Sequence, residues 1–130
     1  MDTAAGHTND GLPVGARALD IEGVDPSGSL SAWRPGHGRS ALLLFGSPGC
    51  APCHEIMPYL DRLAEEQAQE GFAVLAIVAG ERQAAEQMAT LAPAVRCVAD
   101  GRGIAASDYE VVVNPFAFAI DVDGRVQARA

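Results

Sequence analysis

Apolar residues come in short blocks along this chain, and their period changes from block to block. Ala41–Phe45 is a continuous apolar run ahead of Gly46-Ser47-Pro48-Gly49, which predicts a strand buried on both faces. From Ala51 to about Glu70 the pattern turns helical. Ile56, Leu60, Leu63 and Ala64 recur at spacings of three and four, while Asp61, Glu65, Glu66 and Gln69 fall elsewhere. Gly71 supplies the helix stop. Phe72–Val78 reads as a second buried strand. Glu81–Leu91 reads as a helix ended before Pro93, Val95–Ala99 as a third strand, and Ile104–Tyr109 as one or two helical turns. Phe116–Val122 alternates, with Phe116, Phe118, Ile120 and Val122 on one face and Ala117 and Ala119 on the other. Asp123-Gly124 is a tight-turn signal, so Arg125–Arg129 should pair back antiparallel.

Upstream the pattern weakens. Arg17–Ile21 reads as a short edge strand. Glu22–Ser40 is rich in Gly, Pro and Ser and reads as turns, with Trp33 as its one large apolar anchor. Residues 1–14 read as a flexible segment and residues 15–130 as one domain. Alternating strands and helices predict an α/β fold, with a central mixed sheet flanked by helices.

Composition narrows the function classes. The 130 residues are 48% apolar, enough for one core. The net charge is −8, and all nine basic residues are Arg. This argues against a nucleic-acid groove, which needs clustered cations. No run of 18 apolar residues is present to span a membrane. MDTAAGHTND has neither the basic nor the apolar region of a signal peptide. The expectation is a cytosolic chain, or one whose export or anchor segment is removed.

Three cysteines, Cys50, Cys53 and Cys97, are too few for a disulfide framework and look like one working pair plus one spare. Cys50-Ala51-Pro52-Cys53 sits where a buried strand gives way to a helix. There, unpaired backbone N–H groups and the helix dipole favour negative charge. A thiol in that position ionises below its free value of ~8.5, toward ~7 or less. Two intervening residues set the sulfurs about one helical turn apart, within reach of a disulfide. Cys50 at the helix start is the expected attacker and Cys53, one turn inside, the resolving thiol. Gly49 and Pro52 keep the turn exposed. Pro52 suits an early helix position, where a missing N–H costs nothing. As an imidazolium, His54 would lower the pair's pKa further; the plainer role is a solvent-facing first-turn residue.

Other readings of the pair compete with this one. A structural zinc needs four ligands. The remaining candidates, Cys97, His7, His37 and His54, lie at no recognisable spacing, so no metal is assigned. A Cu(I)-holding or client-binding module would use the same soft thiolates, and a redox-silent interaction domain is a third alternative. Cys97 lies in an apolar strand and reads as a small buried hydrophobe. Glu65, Glu66 and Glu70 read as a solvated face.

The stretch LLLFGSPGCAPCHEIMPYL resembles the active-site segment of the thioredoxin superfamily. Pro58 matches the helix-kinking proline common there. Asn114-Pro115-Phe116 resembles the cis-proline segment, which in that superfamily faces the CxxC motif and guides the substrate backbone. The opening GLPVGARALDIEGVDPSGSL is similar to the N-terminal extension of the TlpA-like branch. That branch includes extracytoplasmic reductases of cytochrome c maturation and the accessory thioredoxin of methylamine utilisation.

The resemblance implies a thioredoxin-like fold and a thiol–disulfide oxidoreductase acting on protein cysteines, with no cofactor beyond its own dithiol. It implies substrate contacts at Asn114 and Pro115 and a redox partner protein. It also implies an extracytoplasmic, periplasmic setting for a full-length form with a membrane anchor. The chain departs from the pattern in places. Leu44 replaces a buried Asp, Ile56 replaces a helix Glu with Glu55 one position off, and Gly49 replaces a Trp. Ala130 follows the last hairpin where the family continues into a final helix, so the C-terminal helix is expected to be missing.

Overall fold

The two long apolar runs at 41–45 and 72–79 become neighbouring parallel strands, with the shorter run at 97–99 parallel beside them. The computed structural model describes residues 10–68 and 70–130. In chain order its elements are β1 (Ile21–Val24), β2 (Leu30–Trp33), β3 (Ala41–Gly46), α1 (Ala51–Glu66), β4 (Ala73–Ala79), α2 (Arg82–Leu91), β5 (Arg96–Asp100), α3 (Ile104–Asp108), β6 (Phe116–Ile120) and β7 (Val126–Arg129). The described strands form one seven-stranded sheet in the order β2-β1-β5-β4-β3-β6-β7. β3, β4 and β5 run parallel; the other pairings are antiparallel.

The pleat sends alternate residues to two cores. On one face Leu43, Phe45, Leu75, Ile77, Phe118 and Ile120 pack with Trp33 and Tyr109. On the other Leu44, Val74, Ala76, Val78 and Cys97 meet Cys53, Met57 and Leu60 of α1 and Ala85 and Met88 of α2. A two-sided sheet of this kind accounts for the unbroken hydrophobicity of β3 and β4. The α/β expectation, a mixed sheet flanked by helices, holds.

Four local expectations change. The first is the segment read as turns. Residues 22–40 hold most of a hairpin in which Ile21 pairs with Trp33 and Val24 with Leu30. Its strands have four residues each and Leu30 is 89% exposed, so they carry almost no alternation for the sequence to show. Asp25 closes the turn by accepting from the Ser27 and Ser29 N–H groups and the Ser27 hydroxyl. Those bonds, the Ser27 hydroxyl first, hold its carboxyl below the ordinary range. Arg17 contributes only an isolated bridge, to Arg125.

Second, α1 ends at Glu66 and not near Glu70; Gly71, at φ 72°, turns the chain toward β4. Third, β6 ends at Ile120, and Val122 is exposed in the turn that follows. Fourth, the packed body begins before residue 15. Gly11 and Leu12 donate to the Glu110 and Tyr109 carbonyls at 2.7 and 3.0 Å, and Leu12 is buried in the first core. The rest of the expected flexible segment, residues 1–9 with His7, lies outside the described residues.

Candidate active site

β3 ends at Gly46, and the next four residues turn the chain into α1. The Cys50 N–H donates to the Ser47 carbonyl at 3.1 Å, closing that turn. Cys50 is the N-cap of α1, with an extended backbone (φ −99°, ψ 107°). Its sulfur accepts from the Cys53 N–H at 3.2 Å. A cysteine thus does what Ser or Asp does at ordinary helix starts, and the capping atom is the reactive one. Its carbonyl accepts from the Cys53 and His54 N–H groups at 3.1 and 3.3 Å. Pro52 is in the first helical turn, where its missing N–H leaves no bond unmade.

The two sulfurs form a disulfide across a Cα–Cα distance of 5.3 Å, inside the range such bonds need. Their exposure differs. Cys50 is half-buried at the rim, while Cys53 is 0% exposed. Cys53 packs in the cluster that includes Leu44, Met57 and Ala76. Asp100 is the one buried charged residue among the described residues. It sits at the end of β5 and spends both carboxylate oxygens on the Ala105 and Ala106 N–H groups of α3. Leu44, 3% exposed, therefore keeps the surroundings of Cys53 apolar.

Gly46 was not singled out in the sequence, yet the pair depends on it. A Cβ there would stand 2.9 Å from the Cys53 sulfur. Only its place directly after the apolar run, as the first residue of the break, marked it. Across the sheet Phe45 pairs with Phe116, which puts Pro115 one position on, opposite Gly46. The Asn114–Pro115 bond is cis, as the resemblance implied. Pro115 is half-buried and Asn114 exposed. The structure thus gathers Cys50, Cys53, Pro52 and Pro115 at one end of the sheet.

The remaining motif residues fall around them. Gly49 is exposed, with nothing within 4 Å of where a Cβ would stand. His54 is exposed, and a ring nitrogen lies 2.5 Å from the Pro48 carbonyl. A carbonyl only accepts, so that Nε2 carries the proton and ties α1 back to the turn before Cys50. Glu55 is exposed and Ile56 half-buried. Pro58 lies inside α1 and leaves the His54 carbonyl without its helical donor.

Cys97 is 2% exposed in β5, and burial pushes its thiol up to about 11. Gly46 pairs with Val78, and Val78 with Ala99. Cys97 is therefore two strands across and two residues down, roughly 12 Å along the sheet. The sheet holds it out of bonding reach of the pair.

Residues 14–130 match the Redoxin family. The chain belongs to that family. This redoxin is 30% identical over 125 residues to the thioredoxin-like protein YneN of Bacillus subtilis, covering 90% of this chain and 71% of the relative. It is 29% identical over 121 residues to the thiol-disulfide oxidoreductase ResA of Geobacillus kaustophilus, covering 89% and 68%. Its fold matches a secreted Mycobacterium tuberculosis disulfide oxidoreductase homologous to DsbE of E. coli. There the TM-score is 0.73 at 19% identity, covering 85% of this chain and 81% of that one. These likenesses bear out the resemblance to the thioredoxin superfamily and its TlpA-like branch. With the paired cysteines at the helix start, the redoxin is a thiol–disulfide oxidoreductase.

Proposed function

We propose that this redoxin is a reductase of protein disulfides outside the cytoplasm, with Cys50 as the nucleophile and Cys53 as the resolving thiol. The observation that carries this assignment is the asymmetry of the pair: Cys50 half-exposed as the helix N-cap, Cys53 sealed one turn inside.

In the reduced protein the helix start stabilises a Cys50 thiolate, while an apolar enclosure keeps Cys53 a neutral thiol. The thiolate attacks one sulfur of a client disulfide. A Cys50–client bond forms, and the other client sulfur leaves as a thiolate that takes a proton from water. Cys53 then gives up its proton and attacks the Cys50 sulfur. The Cys50–Cys53 disulfide forms and the second client sulfur leaves. The client has gained two electrons from the redoxin. Of the two protons it ends with, one corresponds to that given up by Cys53 and the other comes from water, because Cys50 begins as the thiolate. A protein dithiol donor returns it to the dithiol by the reverse exchange. In this reading Asn114 and Pro115 contact the client backbone beside Cys50; the register that sets Pro115 opposite Gly46 supports it.

The extracytoplasmic setting and a role in protein or cytochrome maturation rest on the branch resemblance and on the secreted M. tuberculosis protein that shares the fold. No helix among the described residues is long and apolar enough to cross a membrane.

Insulin reduction with dithiothreitol as donor tests the assignment. Wild type accelerates the reaction, Cys50→Ser abolishes the acceleration, and Cys53→Ser accumulates mixed disulfide through Cys50. No acceleration by wild type, or full activity in Cys50→Ser, overturns it.

A further inference from the structure

A shallow, open groove of about 470 Å³ runs along α2 beside the start of α1, lined by His54, Gln83, Glu86, Gln87, Thr90 and Leu91. It opens beside the redox pair: His54 follows Cys53 directly, and its N–H donates to the Cys50 carbonyl. The Asp61 carboxylate accepts from the Ala94 N–H at 2.7 Å, which joins α1 to the loop after α2. The reaction described above makes no use of this groove.

The lining carries a specific chemistry. Gln83 and Gln87 are four residues apart and share one face of α2. Both are exposed, and neither side-chain amide has a protein partner among the described residues. An amide side chain offers a donor and an acceptor together, the complement of a peptide unit. Glu86 is already paired with Arg82 at 2.9 Å, so the wall presents no uncompensated charge. Leu91 adds an apolar floor. From Gln83 to Leu91 the helix rises about 12 Å, the length of three or four extended residues.

We infer that this groove seats the client polypeptide flanking the cysteine under attack, as an extended, uncharged stretch of three or four residues. The inference rests on the disulfide-exchange reading and adds to it where the client lies. Continuity with Cys50 and the unpartnered amides favour that occupant over a charged ligand.

The test is single-turnover reduction of a short peptide joined to glutathione through its one cysteine. The peptide is used alone and extended by four uncharged residues on either side. The reduced redoxin is the donor. In wild type one of the two extensions lowers the half-saturating peptide concentration by about three- to tenfold, the scale of one or two hydrogen bonds. In Gln83→Ala/Gln87→Ala that gain disappears. Either no gain from extension in wild type or a gain retained in the double variant overturns the inference while leaving the redox assignment standing. If wild type reduces none of the peptides, the redox assignment itself fails.

Discussion

Gly46 and the Cys53 sulfur occupy a space that admits only one side chain. A methyl at position 46 would stand 2.9 Å from that sulfur, and the disulfide prevents the sulfur from yielding. Gly46→Ala should therefore destabilise the oxidised protein by about 1–3 kcal/mol, the range for forced overpacking. Urea unfolding of the oxidised form measures this, and an unchanged midpoint would contradict it. At this scale the sequence was legible where chemistry repeats a known spacing. Cys50, Cys53 and Pro52 stand in an arrangement that a strand followed by a helix already implies. It was silent where geometry alone decides. Nothing in the letter G at position 46 says that a sulfur lies over it, because that contact joins the end of β3 to the first turn of α1.

α3 has only five residues, too few to persist without tertiary support. Asp100 provides that support: its buried carboxylate accepts hydrogen bonds from the Ala105 and Ala106 N–H groups. Asp100→Ala removes both acceptors and should cost about 1–3 kcal/mol, read as a lower denaturant midpoint with the same slope. A loss below a few tenths of a kcal/mol would contradict that role. The helices and the three parallel strands were legible because each has a period or a long apolar run. The β1–β2 hairpin was not. Gly23 interrupts one strand, Leu30 is exposed on the other, and what holds the pair is β5. Val24 pairs with Ala99, and the Arg96 guanidinium donates to the Ser31 hydroxyl at 2.9 Å. Such long-range contacts leave no local signal.

Across the whole molecule, burial couples stability to alkaline pH. The Cys97 thiol titrates at about 11 when folded, against an ordinary value of 9.0. Below pH 9 both folded and unfolded chains keep the proton. Between 9 and 11 the unfolded chain loses it first, so stability falls as pH rises through that window. Two pKa units set the loss at roughly 3 kcal/mol. Burial also raises Tyr109, which extends the decline to higher pH. Urea unfolding of the oxidised form, where Cys50 and Cys53 do not titrate, should show this slope. Cys97→Ala should flatten it between pH 9 and 10, below the range in which Tyr109 contributes, and a slope that survives there in that variant would contradict the assignment.

The redox role itself depends on one ionised, reachable sulfur. Brief alkylation of the reduced protein with iodoacetamide at pH 7, followed by peptide mass spectrometry, measures this directly. Carboxamidomethyl groups are expected on Cys50, with Cys53 and Cys97 unmodified until the protein is unfolded. Labelling of Cys53 ahead of Cys50, or of neither, would contradict the account.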